Sequence, residues 1–196
     1  HLEAQIANIA DELAYTAHDL DDGLRSELIS PGQLEGIALW DWLCESIGWR
    51  DGILSELTRH RLIRRLIGME VTDSVETSSK RLDKSGVSSV EELQLLTNNV
   101  VSFSTELTDL NRQLKDFLYQ FLYRHPRVYR MQMNAERILS ALFDSYAKYP
   151  EILPQEVQSK VKDGKFHRMI CDYVAGMTDR FAMHEHSRMF DPQIEP

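Results

Sequence analysis

The sequence is poor in cysteine and has no long apolar run, and each absence narrows the class of protein. Its two cysteines, Cys44 and Cys171, form no CxxC pair, which favours a reducing compartment over a disulfide-stabilised secreted fold. No apolar run approaches the roughly 18 residues that a membrane-spanning helix needs, and the N-terminal stretch shows no signal-peptide pattern. We therefore expect a cytoplasmic protein with no membrane partner.

Basic residues are fewer than acidic ones. The 22 lysines and arginines against 31 aspartates and glutamates give a formal net charge of −9. This balance argues against a broad nucleic-acid-binding surface, but it leaves room for a local basic pocket. The sequence also contains neither a Gly-rich phosphate-binding loop nor a nucleophile elbow. If the protein acts on nucleotides, it must hold them by other means.

Helical periodicity dominates the chain, and no stretch alternates as a half-buried strand would, so we predict an all-α fold. The first helix should end near Gly23, because Asp-Asp-Gly is a helix-end signal. The polar segment 76–89 is typical of a loop or linker, and His125-Pro126 should interrupt a long helical stretch. The predicted helices cover about residues 2–20, a stretch from Pro31, a stretch ending in the 70s, a stretch from about Ser104, residues 126–148 and residues 165–189.

The first predicted helix has two contrasting faces. One is an apolar stripe that should face the core, and the other carries Asp11, Tyr15 and Asp19 at i, i+4 and i+8. A solvated polar face would explain this row. A binding site would explain it too, because carboxylates at close quarters repel one another unless a cation or a donor is present. The apolar stripe consists of Ile6, Ile9, Leu13, Ala17 and Leu20.

Two histidine-containing motifs could suggest a metal site, but their spacing argues against it. His18 and Asp19 are adjacent, so on a straight helix they point about 100° apart and cannot both face one ion. The segment His184-Glu185-His186 lacks HExxH spacing. On this helix Asp11 is the more plausible metal ligand.

Two basic segments have alternative explanations. Arg61 and Arg65, at i and i+4, could act together on a triphosphate, or they could lie on a solvated helix face paired with Glu56 and Glu70. The segment 119–133, "YQFLYRHPRVYRMQM", interleaves tyrosine and arginine. Such interleaving can bind single-stranded nucleic acid, although core and interface packing would produce it as well.

Residues 3–24, "EAQIANIADELAYTAHDLDDGL", resemble the fourth metal-ligand segment of the HD-domain deoxynucleoside triphosphate triphosphohydrolases, the bacterial dGTPase-like family. Residues 172–190, "DYVAGMTDRFAMHEHSRMF", look like the closing helix of that family, and residues 59–75 and 114–154 look like the helices between. The resemblance implies an all-α fold in three parts. These are the C-terminal helices of an HD domain at 1–78, a linker at 79–101 and a phosphohydrolase-associated helical region at 102–196.

The family splits a dNTP with water into the deoxynucleoside and triphosphate, using a divalent metal ion such as Mg²⁺ or Mn²⁺. The resemblance implies that Asp11 is a metal ligand and that Tyr15 and Asp19 contact the deoxyribose. It implies, less directly, that Tyr173 and Asp179 lie at the substrate pocket. Arg61 or Arg65 would contact the phosphates.

The remaining expectations concern the whole protein. The family's other metal ligands, a His and a His-Asp pair, match nothing in this sequence, so we expect a C-terminal portion that is inactive by itself. The resemblance also implies a homo-oligomer, with single-stranded DNA as an effector. Two alternatives stay open: a regulatory or oligomerisation helical module, and a helical protein that binds single-stranded nucleic acid.

Overall fold

The computed structural model describes residues 1–50, 52–159 and 165–194. Helices are the only regular secondary structure among these residues, so the all-α prediction is confirmed. None of the described helices is both long and apolar enough to cross a bilayer. The α-helices are α1 Leu2–Arg25, α2 Pro31–Leu34, α3 Ala38–Ile47, α4 Glu56–Ser85, α5 Val90–Gln94, α6 Thr105–Leu118, α7 Pro126–Lys148, α8 Gln155–Gln158, α9 Phe166–Ala175 and α10 Asp179–Phe190.

The chain divides into two compact units, unit 1 at His1–His125 and unit 2 at Pro126–Pro196. This is a division by packing, whereas the predicted boundaries at 1–78, 79–101 and 102–196 followed the family resemblance. Those family boundaries therefore stay a prediction. The predicted interruption at His125-Pro126 is confirmed, since Pro126 is the first residue of α7.

Unit 1 is built on α1, α3, α4 and α6, which bury a main apolar core, and a smaller cluster forms around Leu13, Phe103 and Leu107. The predicted stripe of α1 holds for its second half, where Leu13, Ala17 and Leu20 are buried. It fails at Ile6, which is 51% exposed. The reason is that the first turns of α1 line an open apolar groove with Val71 and Val75 of α4 rather than a closed core.

Gly23 does not end α1, which continues to Arg25. A Cβ atom at Gly23 would lie 2.8 Å from the Ile29 side chain and 3.3 Å from that of Leu122. The glycine therefore allows close packing inside the helix instead of supplying a left-handed terminus. The predicted helix end at this glycine was wrong for that reason.

The prediction that the third helix ends in the 70s was also wrong, because α4 runs on to Ser85 and stops at Gly86, where φ is +66°. The segment that was predicted as a loop has neither proline nor glycine before Gly86. Its polarity reflects an exposed surface, and a polar helix surface needs no break in the helix. Two residues of α4 anchor the chain before α6: Asp73 Oδ2 accepts from the Ser104 backbone N at 2.7 Å, and Ser78 Oγ accepts from the Ser102 N at 3.1 Å.

The end of α6 widens into one π-helical turn, Tyr119–Tyr123. A π-turn adds a residue to the helical repeat and so changes the direction in which the following side chains point. The turn is packed into unit 1 by Leu122, which is buried. It brings the side chain of Tyr123 to α1.

Unit 2 consists of α7 packed on α9 and α10 around a small apolar core. The predicted last helix at about 165–189 is in fact two helices, because α9 ends at Ala175 and α10 begins at Asp179. Thr178 caps α10 by accepting from the Phe181 backbone N at 3.3 Å. That threonine was the missed start signal. The core residues are Leu142, Tyr146, Leu153, Ile170 and Ala182.

Candidate functional site

The polar face of α1 divides into an exposed part and a partly covered part. Each step of four residues turns the helix surface by about 40°, so Asp11 and Asp19 are displaced around the helix as well as along it. Asp11 is exposed, and Tyr15 is 61% exposed. Asp19 is half-buried and faces α6 and the π-turn. The row that the sequence predicts is therefore a gradient from open solvent into a pocket.

Asp19 makes one contact that the sequence analysis did not foresee. The Tyr123 hydroxyl donates a hydrogen bond to Asp19 Oδ2. Burial raises the pKa of Tyr123, and hydrogen bonding and the nearby charge of Asp19, together with contributions from Tyr15, raise it further. The phenol keeps its proton and serves as a donor to the carboxylate. This bond holds Asp19 in one orientation.

These three residues line a cavity of about 440 Å³ in unit 1. A volume of this order fits one part of a small-molecule ligand. Its wall combines phenol hydroxyls, carboxylates and one ammonium group, which suits a partner with both hydroxyl and charged groups. The lining residues are Tyr15, Thr16, Asp19, Lys115, Asp116, Leu118, Tyr119 and Tyr123.

Lys115 is the positively charged group of this pocket. Its Nζ forms an ion pair with Glu12 Oε1, and both side chains remain about half exposed. The Tyr119 ring, which lines the pocket, makes a cation–π contact with the Arg124 guanidinium, 4.9 Å from the ring centroid. A basic group, Lys115, is thus present at the pocket, although it is not one that the sequence predicted.

The predicted phosphate contacts lie elsewhere in unit 1. Arg61 donates to the Ile47 carbonyl oxygen at 3.2 Å, and the Arg65 guanidinium stacks 5.0 Å from the Trp42 ring centroid. Both side chains are therefore engaged with the surface of α3. The basic residue of α4 that does reach α1 is Arg59, which is 7% exposed and pairs with Asp21.

The solvated-face alternative required Glu70 to be a surface partner of the arginines, and it is not. It is fully buried and accepts a hydrogen bond from Asn111 Nδ2 at 2.9 Å. The sequence could not distinguish the buried Glu70 from the exposed charged residues of α4, because it shows helical spacing but not which face the neighbouring helices cover.

Asp11 is the only predicted metal ligand in this chain. Among the described residues, no group of three or more His, Cys, Asp or Glu side chains lies close enough to hold a metal ion. Protein metal sites use several such ligands. Asp11 has an exposed carboxylate that fits the role of one ligand, so its assignment stays a prediction.

Tyr173 and Asp179, the other predicted substrate residues, belong to unit 2. The half-buried Tyr173 packs edge-on against Tyr146, with ring centroids 5.6 Å apart. It lines a cavity of about 720 Å³ with a mainly apolar wall and with Lys165 and Arg168 among its charged groups. Asp179 is exposed in the first turn of α10, where a carboxylate also favours the helix dipole.

Tyr123 and Lys115 are two residues of the pocket that the sequence analysis missed as site residues. Tyr123 lies 104 positions from Asp19 along the chain, so helical periodicity could not pair them. Its segment did attract attention for interleaved tyrosine and arginine, and the i, i+4 spacing of Tyr119 and Tyr123 was the available signal. That signal was interpreted as a nucleic-acid surface or as core and interface packing, and not as part of a substrate pocket.

Comparison with known proteins agrees with the pattern in the sequence. Residues 101–188 match the phosphohydrolase-associated domain. Over 192 residues the chain is 44% identical to a deoxyguanosinetriphosphate triphosphohydrolase-like protein of Geobacter metallireducens, covering 97% of this chain and 50% of that protein. The predicted resemblance to the dGTPase-like family is confirmed.

Other relatives that carry the same name agree. One from Deinococcus deserti is 39% identical over 191 residues, covering 97% of this chain and 50% of the relative. One from Caulobacter vibrioides is 36% identical over 193 residues, covering 96% of this chain and 49% of the relative. The chain spans about half the length of the curated relatives it matches.

The position of the family match is informative about the pocket. The phosphohydrolase-associated domain at 101–188 includes α6 and the π-turn but not α1. The pocket thus joins a helix outside the matched domain to a helix inside it. Neither segment would form the pocket without the other.

Proposed function

We propose that this chain is part of a metal-dependent dNTP triphosphohydrolase, in which the pocket between α1 and α6 holds the deoxyribose. The observation that carries the proposal is the hydrogen bond from Tyr123 to Asp19, with Tyr15 beside it. The names of the relatives support the reaction. The activity, the substrate and the partners are proposed for the whole protein.

Asp19 is the proposed receptor for the sugar 3′-hydroxyl. Tyr123 occupies Oδ2, which leaves Oδ1 to accept a hydrogen bond from a ligand. Tyr15 exposes its ring at the pocket mouth, where it would occupy the space that a ribose 2′-hydroxyl needs. A polar site that pairs one hydroxyl and blocks another can distinguish deoxyribose from ribose.

Asp11 is the proposed ligand of a divalent metal ion such as Mg²⁺ or Mn²⁺. Such an ion, when bound, would polarise a phosphoryl oxygen or activate water. Asp11 and Asp19 are two turns apart, about 12 Å along the axis at 1.5 Å per residue. One ion cannot bind both, and a nucleotide lying along α1 would reach from its sugar at Asp19 towards its phosphates at Asp11.

Lys115 is the cation that the pocket offers to the phosphates or the sugar, because it already lines the wall. Arg61 and Arg65 would first have to leave Ile47 and Trp42. Their role as phosphate contacts stays a prediction, as do those of Tyr173 and Asp179. Homo-oligomer formation, the single-stranded DNA effector and the cytoplasmic location rest on the sequence alone.

The test is an Asp19→Asn substitution in a full-length protein that contains this chain, with release of inorganic triphosphate from dGTP as the measurement. Because an amide accepts more weakly than a carboxylate and its NH₂ group would face the sugar hydroxyl, we expect kcat/KM to fall at least tenfold. Asp22→Asn, an exposed change on the same helix, is the matched control and should leave kcat/KM unchanged.

Equal activity of the two variants would refute a sugar-binding role for Asp19. It would favour the alternatives of a regulatory module or a nucleic-acid-binding helical protein, since neither needs this carboxylate. Adding single-stranded DNA to the same assays would distinguish those two.

A further inference from the structure

The core of unit 1 contains a buried polar pair that the proposed reaction does not use. Glu70 on α4 is fully buried, and Asn111 on α6 is 3% exposed. Asn111 Nδ2 donates to Glu70 Oε1 at 2.9 Å. Buried carboxyl groups are rare unless they are fully paired, so the remaining atoms of this pair need an explanation.

The other oxygen of each side chain is buried without a partner. Glu70 Oε2 and Asn111 Oδ1 both lack a hydrogen bond. If Glu70 were ionised, both atoms could only accept, and the structure would carry two unsatisfied acceptors. Each would carry the desolvation cost of a buried acceptor that forms no hydrogen bond. Reversing the Asn111 amide would not help, because it would turn an oxygen towards the carboxylate.

A single proton on Glu70 would give both Oε2 and Asn111 Oδ1 a hydrogen-bond partner. With a hydrogen on Oε2, the carboxylic acid can donate to Asn111 Oδ1 while Oε1 still accepts from Nδ2. Acid and amide then form a closed ring of two hydrogen bonds. We infer that Glu70 is a neutral carboxylic acid in the folded protein, and that its pair with Asn111 is a proton-dependent latch between α4 and α6.

The charges around the latch agree with this assignment. Burial raises the pKa of Glu70 to about 7, with Glu12 adding to the rise, while the Asn111 hydrogen bond and Lys115 lower it. Lys115 on α6 and Glu12 on α1 are the charged groups that act on Glu70, and they are paired with each other. The lysine is therefore shared with another carboxylate and only partly offsets burial.

The latch makes folding depend on pH in a defined direction. The folded state keeps the Glu70 proton up to about pH 7, whereas the unfolded chain releases it near the reference value of 4.5. The stabilisation is complete below the unfolded pKa and is lost as the pH rises through the folded pKa. Between pH 5 and pH 8 the unfolding equilibrium constant should rise by roughly two orders of magnitude from this group.

Because the latch lies beside the pocket wall on α6, ionisation of Glu70 should also affect the pocket. Asn111 and Lys115 are four residues apart on α6, so they lie on the same side of that helix. Loosening α6 at Asn111 would therefore loosen the pocket wall that Lys115 forms. The latch itself does not depend on the proposed reaction, since it rests only on the burial of Glu70 and Asn111 and on the hydrogen bond between them.

The first test is a pH titration of the glutamate side-chain carboxyl carbons by NMR in the unmodified protein. We expect a Glu resonance with a midpoint near pH 7, and this measurement needs no variant. Its assignment to Glu70 follows from its loss in Glu70→Gln. If every glutamate titrates below pH 5.5, Glu70 is ionised and the latch is refuted.

The second test compares unfolding by denaturant at pH 5 and pH 8. Glu70→Gln supplies the N–H donor permanently, so it should form the same ring and lose the roughly hundredfold pH dependence that we expect of the unmodified protein. Glu76→Gln, an exposed change on the same helix, should keep it. A pH dependence that survives in Glu70→Gln would overturn the proposal, and if that variant does not fold, the NMR titration alone decides.

Discussion

Predicted site residues line one cavity in each unit, and the smaller of these two cavities is the better candidate site. The cavity of unit 2 holds about 720 Å³ against about 440 Å³ for the pocket of unit 1. In unit 2 the charged pair at the cavity, Arg168 Nε to Asp172 Oδ1 at 2.8 Å, joins neighbours on one helix. In unit 1, Tyr123 to Asp19 and Lys115 to Glu12 join different elements.

For choosing a candidate site, whether the polar contacts join different elements or neighbours on one helix is therefore more informative than the volume of the cavity. A pair at i, i+4 forms on any exposed helix and contributes little. A carboxylate held by a tyrosine from another element is fixed by the tertiary fold, so its free oxygen has a defined direction. Preorganised groups of this kind are what binding and catalysis require. The predictions below test that contrast.

The largest effect is expected at the open end of the unit 1 site. In the full-length protein, Asp11→Asn should abolish retention of the divalent metal, and with it activity, because loss of a charged ligand strongly weakens metal binding. Asp19→Asn should retain the metal and lose substrate affinity. Elemental analysis of the two purified variants checks both statements. Metal lost from the Asp19 variant and kept in the Asp11 variant would reverse the two roles.

The sequence predicted those features that depend on interactions between residues close together in the chain. The all-α fold, the exposure of Asp11 and Tyr15 on one side of α1 and the break at Pro126 depend on local spacing and on proline chemistry. Those features could be predicted. The break before α10 was local too, but Thr178 was not recognised as a helix cap.

The contacts that define the pocket are not local. Whether Asp19 is solvated or half-buried depends on α6, and whether Glu70 is a surface charge or a buried acid depends on Asn111. Neither dependence leaves a periodic trace in the sequence. The burial of Arg59 against Asp21 is a third example. The sequence could therefore predict the site residues of α1 but not the partners that orient them.

A smaller effect is expected when only the orientation of Asp19 is disturbed. Tyr123→Phe removes the hydroxyl and keeps the ring, so the pocket shape is preserved while Asp19 loses its donor. We expect kcat/KM for a dNTP to fall about fivefold, corresponding to about 1 kcal/mol, the typical net contribution of one hydrogen bond.

The matched control is Tyr119→Phe, which also keeps its ring in the pocket wall and whose hydroxyl contacts Arg124 at 3.1 Å instead of Asp19. Its kinetics should stay close to those of the unmodified protein. An equal loss in both variants would mean that the pocket responds to any change in the turn, and the specific role of Tyr123 would be wrong.

The smallest effects compare one cation from each cavity. Lys115→Met removes the ammonium group that lines the unit 1 pocket and leaves Glu12 without its partner. We expect KM for a dNTP to rise severalfold with little change in kcat, because a point charge beside the substrate contributes mainly to binding. Arg168→Met removes an exposed guanidinium whose partner Asp172 lies on the same helix. Its KM and kcat should be unchanged, and so should its Tm, since exposed helical ion pairs contribute little to stability.

The two variants each remove one positive charge, from cavities of different size. If cavity volume determined where the substrate binds, Arg168→Met in the larger cavity would have the larger effect. A rise in KM for Arg168→Met with none for Lys115→Met would place the phosphate-binding charge in unit 2.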